Sequence, residues 1–328
     1  MELITNPTQE SIKMAAKGLN EGQLVAFPTE TVYGLGADAT NSKAVSRIYS
    51  VKGRPVDHPL IVHISSMQQI YKWAVDIPEY AEKLANEFWP GPMTLILKRS
   101  ELAKDFITGG QNNVGLRVPA QSIALTLLKE FEKLGGSGIA GPSANRFGAV
   151  SPTSADAVQE ELGKYLDPKD FVLDGGPSLV GIESTIIDCT SKNPRILRPG
   201  AVVKVQIQDL LKVDLESTGA DTWINFSGNF KSHYSPKANI ILGNFSGSNF
   251  GFIALSNLPT PNNAFRLAAP RTTEEFAQIL YSALRKADSM GLSDVSVIFP
   301  EEEGLGQAIK DRLVKASKRQ SVEGNEHN

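Results

Sequence analysis

Short apolar runs alternate with helical patterns along residues 1–205, and this alternation is the feature that most limits the possible folds. Strand-like apolar runs occur at 24–27, 60–64, 93–97 and 114–118. A chain that alternates strands with helices forms a sheet covered by helices, but here the helices are few and short for the number of strands. We therefore predict an α/β domain with a twisted mixed sheet rather than a regular doubly wound sheet.

The pattern changes after residue 205. Residues 206–238 have little periodicity and are punctuated by glycine and serine, which predicts a linker. Residues 239–318 then follow the order β–β–α–β–α, which predicts a smaller Rossmann-like α/β domain. No apolar side chain follows Val322, so residues 319–328 are predicted to form a disordered tail.

Composition limits the class of protein. The 328 residues are 41% hydrophobic, enough for two domains, and 33 basic residues nearly balance 36 acidic ones, whereas nucleic-acid-binding proteins usually carry a basic excess. The single cysteine, Cys189, excludes an internal disulfide and a cysteine-based zinc site. The chain begins without the apolar stretch of a signal peptide and contains no run of about 18 apolar residues. We expect a cytoplasmic protein without a membrane partner.

Two neighbouring segments do not have the pattern of ordinary core. The segment at 27–36, FPTETVYGLG, ends a strand in hydroxyls and glycines; these can line a ligand site or simply cap a turn. The segment at 52–60, KGRPVDHPL, places Lys52 and Arg54 two residues apart before a proline. In an extended backbone the two cations would share one side and could bind phosphates. The alternative, a pair of solvated surface charges, stays open.

Three other positions are candidates for chemistry. Arg117 interrupts the apolar run VGLRVP, so it either forms an internal ion pair or clamps a small carboxylate. His63 follows a strand and either packs as a hydrogen-bonded core residue or faces a cleft. The loop at 141–151 combines Ser143 and Asn145 with glycines that suit a ribose or phosphate. The P-loop, G-x-G-x-x-G and G-x-S-x-G patterns are absent.

Taken in order, seven segments resemble the YrdC-like threonylcarbamoyl-adenylate synthases across roughly residues 8–205. SHYSP at 232–236 and the small C-terminal domain resemble the two-domain form of that family. The resemblance implies a concave, positively charged cavity in which L-threonine, bicarbonate and ATP give threonylcarbamoyl-AMP and pyrophosphate. The seven segments are FPTETVYGLG, KGRP with HPLIVHI, WPGPMTLIL, VGLRVP, GPSANRFGAVSPT, DGGPSLVGIESTIID and ILRPGAV.

The resemblance also implies roles for individual residues. Lys52 and Arg54 are the expected catalytic residues, because fixed cations and positioning carry nucleotidyl transfer. Tyr234 is expected to reach back over the site as a lid. The residues implied for threonine are Thr31, His63, Arg117, Gly141 and Ser184. Those implied for ATP are Lys52, Arg54, His58, Asn113, Ser143, Asn145, Ser151, Arg198 and Tyr234.

The resemblance further implies which other molecules take part. Mg²⁺ is expected with ATP, held mainly by phosphates and water rather than by protein ligands. The expected partners are ATP, L-threonine, bicarbonate and the downstream proteins that transfer threonylcarbamoyl to tRNA. Stable direct binding of tRNA to this chain is not expected.

Two other functions remain alternatives. A YrdC-like concave face can also serve a double-stranded RNA-binding module, whose affinity would fall steeply with salt in a filter-binding titration. A related reaction makes a carbamoyl adenylate from carbamoyl phosphate and ATP, as in hydrogenase maturation proteins. Those proteins also carry zinc fingers, which the single cysteine excludes here.

Overall fold

The computed structural model describes residues 1–215, 224–226, 228 and 234–318. The predicted tail at 319–328 and the linker residues 216–223, 227 and 229–233 lie outside the described residues. The strands are β1 (Glu2–Ile4), β2 (Val25–Phe27), β3 (Gly34–Asp38), β4 (Ile61–His63), β5 (Met93–Lys98), β6 (Asn113–Arg117), β7 (Ile139–Ala140), β8 (Phe171–Leu173), β9 (Thr185–Asp188), β10 (Arg195–Arg198), β11 (Asn239–Leu242), β12 (Phe250–Ile253), β13 (Ala264–Ala268) and β14 (Asp294–Val297). The helices are α1 (Gln9–Asn20), α2 (Ser42–Lys52), α3 (Ile70–Trp73), α4 (Glu79–Phe88), α5 (Asp105–Thr108), α6 (Ser122–Lys133), α7 (Ala155–Leu162), α8 (Lys204–Leu211), α9 (Thr273–Ser289) and α10 (Leu305–Ser317).

The first domain is built on a mixed sheet, as predicted. Within the described residues it has ten strands in the order β1-β8-β2-β3-β7-β4-β6-β5-β9-β10. Strands β4 and β6 run parallel, whereas β2 and β3, β3 and β7, and β5 and β6 run antiparallel. Strand β3 was not predicted, because its glycines lack strand propensity. A Cβ on Gly36 would lie 2.7 Å from Cγ2 of Ile139, so glycine permits close packing against β7.

The ends of α1 and α2 are set by capping residues, and the end of α2 fixes the positions of Lys52 and Arg54. Thr8 caps α1, as predicted, by accepting a hydrogen bond from the Ser11 amide. Helix α2 ends at Gly53, whose φ of +61° is the left-handed C-terminal conformation that glycine adopts readily. Lys52 is therefore the last helical residue and Arg54 begins the following loop, so the two cations do not lie on one extended backbone as the sequence interpretation considered.

The second domain is a parallel sheet of four strands among the described residues, in the order β11-β14-β12-β13, with α9 and α10 packed beside it. This agrees with the predicted Rossmann-like α/β class. Strand β13 was not predicted because only Leu267 in it is buried, so it lacks an apolar run. Helix α8 occupies the start of the segment predicted as a linker; Ile207 is its one buried residue. In the described ranges, no helix is both long enough and apolar enough to cross a bilayer.

The two domains pack against each other. Val32, Val150 and Ile182 of the first domain belong to the same buried cluster as Phe276 and Leu280 of α9. At Gly181, where φ is +78°, a Cβ would lie 2.4 Å from the Cα of Gln278. Only glycine allows this approach of loop to helix, so the contact between the domains is close and specific.

Candidate active site

A cleft opens on the first domain where its loops meet the second domain. It has about 630 Å³ of space between its atoms when the open mouth is counted. Four lining residues of the described chain are cationic and one, Glu183, is acidic, so the cleft suits an anionic ligand. The lining residues are Thr29, Thr31, Val32, Tyr33, Gly34, Lys52, Arg54, Ile61, His63, Arg117, Gly141, Pro142, Ser143, Asn145, Phe147, Glu183, Ser184, Arg198, Gly228 and Tyr234.

Lys52 and Arg54 are buried side by side, so the interpretation as solvated surface charges is wrong. The Lys52 ammonium donates to the carbonyl oxygens of Ser143 (2.6 Å) and Asn145 (2.5 Å). Arg54 donates to the carbonyl oxygen of Pro59 at 3.0 Å. Burial, and then the neighbouring Arg54 charge, hold the pKa of Lys52 well below its ordinary value, and burial lowers the pKa of Arg54 to about 10. Because both shifts reflect uncompensated positive charge, an anion bound here would be strongly stabilised.

Arg117 and His63 end two adjacent strands. They are register partners in the parallel pair β4 and β6, so their side chains reach the cleft together. The Arg117 guanidinium lies 2.7 Å from Oε1 of Glu30 and donates to the Thr31 hydroxyl at 2.9 Å. Arg117 therefore forms the internal ion pair that was one sequence interpretation, and it also lines the cleft, while the carboxylate clamp stays a prediction. The ring of His63 packs edge-on against Phe27, with 5.4 Å between the ring centroids.

The opposite wall comes from the loops before β9 and after β10. Arg198 donates to the carbonyl oxygen and the hydroxyl of Ser184, both at 3.1 Å. The Ser184 hydroxyl is also 2.8 Å from the Thr94 hydroxyl, and burial lowers the pKa of Arg198. Tyr234, in the positive-φ conformation, is fully buried beside this wall. Burial, followed by the nearby Glu183 carboxylate, raises its pKa, so the phenol stays neutral.

Most of the predicted site residues meet in this one cleft, but three do not line it among the described residues. His58 packs its ring against Phe147, with 5.6 Å between centroids, and so stands behind the wall. Ser151 is buried and donates to Oε1 of Glu183 at 2.6 Å. Asn113 begins β6, at the end remote from Arg117, and lines a small neighbouring pocket instead. The residues brought together are Thr31, Lys52, Arg54, His63, Arg117, Gly141, Ser143, Asn145, Ser184, Arg198 and Tyr234.

Sequence reasoning did not assign roles to two carboxylates. Glu30 was noted only as part of a ligand-lined loop, and Glu183 only as a letter of one motif. Glu30 pairs with Arg117, and its Oε2 accepts from the Ala120 amide at 3.0 Å. Glu183 is paired with Arg312 of the second domain at 3.0 Å. The sequence did contain a signal for a carboxylate such as Glu30, because the charge of Arg117 within an apolar strand needs a partner of opposite charge. Nothing in the sequence connects Glu183 to a residue 129 positions away.

The same carboxylates bear on magnesium. Among the residues that the structure describes, no group of three or more His, Cys, Asp or Glu could hold a metal ion. Glu30 and Glu183 beside the cleft are each already paired with an arginine. The side chains of the cleft thus do not form a protein cage for Mg²⁺, whose first-choice ligands are free oxygens.

His63 gives a first testable prediction. Burial, and then the Arg117 charge, lower its pKa to about 3, against about 6.5 in an unfolded chain. Below pH 6.5 the unfolded state therefore binds a proton that the folded state does not, and stability falls as pH falls. Between pH 7 and pH 5 this one group removes about 2 kcal/mol of unfolding free energy.

The comparison uses denaturant unfolding of the wild type and His63→Gln at both pH values. The variant should lose about 2 kcal/mol less on acidification. Equal losses in the two proteins would mean that His63 titrates normally in the folded state.

Comparison with known proteins identifies the family of this chain. The family model described as "Telomere recombination", Sua5_yciO_yrdC, matches residues 17–200. The model described as "Threonylcarbamoyl-AMP synthase, C-terminal domain" matches residues 202–318. Threonylcarbamoyl-AMP synthase of Pyrococcus abyssi is 41% identical over 330 residues, covering 93% of this chain and 94% of that protein. The enzyme of the same name from Bacillus subtilis is 36% identical, covering 96% and 95%.

The fold agrees with this assignment. The crystal structure of P. abyssi Sua5 complexed with L-threonine superposes with a TM-score of 0.86 at 38% identity, covering 96% of this chain and 97% of that one. Both domains are therefore shared with that protein. The chain belongs to the Sua5/YrdC family of threonylcarbamoyl-AMP synthases, in the two-domain form.

Proposed function

We propose that this chain joins L-threonine, bicarbonate and ATP into threonylcarbamoyl-AMP and pyrophosphate, using the cleft between Lys52 and Arg117. The observation that carries the proposal is the burial of four cations, Lys52, Arg54, Arg117 and Arg198, around a single cavity. Buried cations are costly unless an anion joins them, and the reaction brings two anions together. A threonine carbamate and a triphosphate satisfy that requirement.

Threonine takes the end of the cleft where Arg117 and His63 meet. The Arg117 fork, oriented by Glu30, binds the threonine carboxylate. The Thr31 hydroxyl and the Ser184 hydroxyl then lie on either side. His63 stays neutral across the physiological range because its pKa is about 3, so it contacts threonine as an uncharged donor or acceptor. At Gly141 a Cβ would lie 3.0 Å from Nδ1 of His63. Any larger residue at this position would therefore crowd the imidazole.

ATP takes the end formed by Lys52 and Arg54. The loop carrying Ser143 and Asn145 and the wall at Arg198 flank the nucleotide, with His58, Asn113 and Ser151 as more distant predicted contacts. A carbamate oxygen of carboxylated threonine attacks the α-phosphorus, and the bond from that phosphorus to the bridging oxygen breaks as pyrophosphate leaves. The protein supplies orientation and charge stabilisation, and no side chain forms a bond to substrate.

Tyr234 closes the site. Tyr234 lies near the C-terminal end of the linker. The linker is held near the sheet at Asn225, whose backbone exchanges hydrogen bonds of 3.0 and 2.9 Å with the Gln111 side chain. Phe226 packs beside Ile96. A cover that excludes water protects a labile carbamate from losing carbon dioxide.

A substitution at Gly228 tests whether Tyr234 closes the site. The φ of Gly228 is +92°, and a Cβ would lie 2.7 Å from the Tyr234 hydroxyl. Gly228→Ala should displace Tyr234 and raise the dissociation constant for ATP by about tenfold, within the range expected for strain of this kind. Gly243→Ala is the matched control, because Gly243 has a φ of +106° but nothing near its Cβ. Equal ATP affinity in the two variants, measured by calorimetry, would contradict the closure.

The wider setting is part of the proposal. Mg²⁺ enters with ATP and is held by phosphate oxygens and water. The product passes to proteins that transfer threonylcarbamoyl to tRNA, and we place the reaction in the cytoplasm, where ATP and tRNA are found.

The direct test is incubation of the chain with ATP, labelled bicarbonate and L-threonine, followed by chromatography and a pyrophosphate assay. Label should appear in a threonylcarbamoylated adenylate with one pyrophosphate per product. Replacing threonine and bicarbonate by carbamoyl phosphate should abolish pyrophosphate release. If carbamoyl phosphate supports turnover and threonine does not, the proposed substrate is wrong.

A further inference from the structure

One buried arginine of the second domain reaches the wall of the active-site cleft. Arg312, on α10, is fully buried, and its Nε lies 3.0 Å from Oε2 of Glu183. The same guanidinium donates to the carbonyl oxygen of Pro199 at 2.7 Å and to Asp311 at 2.8 Å. It therefore joins α10 to two segments of the first domain: the loop before β9, which carries Ser184, and the end of β10, where Pro199 follows Arg198.

A tyrosine of α9 reaches the same carboxylate. The Tyr281 hydroxyl donates to Oε2 of Glu183 at 2.9 Å, and its ring is stacked on Tyr234 with 5.8 Å between centroids. The Arg312 guanidinium lies 5.6 Å from the centre of the Tyr234 ring, within cation–π distance. Two residues of the second domain thus hold both Glu183 and Tyr234.

The held residues are themselves part of the cleft. Glu183 and Tyr234 both line it, and the next residue, Ser184, is bound by Arg198. Oε1 of Glu183 accepts from Ser151 on the loop that follows Asn145. A shift of Glu183 would therefore move the wall on the nucleotide side. The Arg117 and His63 end depends instead on contacts within the first domain.

We propose that Arg312 and Tyr281 are positioning residues of the active site, which fix Glu183 and Tyr234 and thereby preorganise the nucleotide-binding wall. The proposal rests on the proposed function for the identity of the ligand, ATP. It gives the second domain a role in the chemistry, because the arginine that pairs with the buried Glu183 carboxylate comes from α10. Fixed supports of this kind are what allow a site to bind without reorganising.

The experiment compares Arg312→Met, Tyr281→Phe and, as control, Lys310→Met on the same helix, all in the full chain. Lys310 is more exposed and pairs with Glu302, away from the cleft. The dissociation constant for ATP should rise about tenfold or more in Arg312→Met and by roughly threefold to tenfold in Tyr281→Phe, the effect of lost hydrogen bonds to a charged group. Lys310→Met should bind ATP normally.

Calorimetric stoichiometry separates positioning from folding. A purely structural role would lower the fraction of protein that binds ATP while leaving the dissociation constant unchanged, and that result would overturn the proposal. So would wild-type ATP affinity in both Arg312→Met and Tyr281→Phe. If Arg312→Met does not fold, Tyr281→Phe decides, because it keeps the ring and loses only the hydroxyl. Direct ATP binding is measured independently of adenylate synthesis, so failure of the proposed reaction would be seen separately in the wild type.

Discussion

Lys52→Met is expected to lower the rate of adenylate formation at saturating substrates by about 30-fold to several thousand-fold. This range corresponds to about 2–5 kcal/mol for removal of a buried charge that contacts an anion. The Lys52 ammonium has three donors, and the carbonyl oxygens of Ser143 and Asn145 take two of them. The third donor is available to a phosphate oxygen, so the substitution removes both the charge and the support of the 143–145 loop.

Thermal stability distinguishes this effect from misfolding. Burial holds the pKa of Lys52 below its ordinary value, so its charge is not a source of folding free energy, and the apolar methionine should not lower stability in proportion to activity. Lys43→Met, at the exposed beginning of the same helix, is the control and should retain full activity. Pyrophosphate release is the measurement. Normal turnover of Lys52→Met at saturating ATP would show that the lysine is not catalytic.

Arg117→Lys is expected to raise the KM for threonine by about 30-fold or more, with ATP binding unchanged. The guanidinium contacts Glu30, Thr31 and the carbonyl oxygen of Gly91 in three directions at once. An ammonium cannot reproduce that planar fork, so it cannot bind a carboxylate bidentately while keeping these contacts. The effect should therefore appear in threonine binding, measured by initial rates over a range of threonine concentrations.

The buried ion pair requires a second variant. Arg117→Met alone would leave Glu30 uncompensated, which costs about 3–5 kcal/mol of stability. Adding Glu30→Gln removes the unpaired charge and should restore most of the thermal stability. Threonine binding should stay weak in this double variant, because the fork is still absent. Recovery of threonine affinity together with stability would show that Arg117 acts only through the fold.

Local patterns predicted much of the first domain because its signals are local. The cap at Thr8, the glycine that ends α2 and the register of apolar residues in β4 and β6 are set by neighbours in sequence. The same patterns missed β3 and β13. In β3 the glycines are selected by close packing against β2 and β7, and in β13 only one side chain is buried. Tertiary packing overrides propensity at such positions.

Some features of the candidate site could likewise be predicted from the sequence, and others could not. Lys52, Arg54, His63 and Arg117 were found from sequence because a charge or imidazole stood out in an apolar context. Their environment could not be found in this way. Whether Lys52 was solvated or buried, and whether Arg117 formed an ion pair, depended on residues up to 93 positions away. His58, Asn113 and Ser151 remain predicted contacts, although they stand outside the cleft lining.

The sequence by itself determined the α/β class, the order of motifs and several of the residue types that line the cleft. These follow from periodicity and from the spacing of residues along a short loop. Only the tertiary structure decided which charges are buried together and what holds them. Glu183 lies 129 positions from Arg312, and the two meet only because α10 docks on the first domain. An electrostatic pairing across such a separation is a property of packing, which no local pattern encodes.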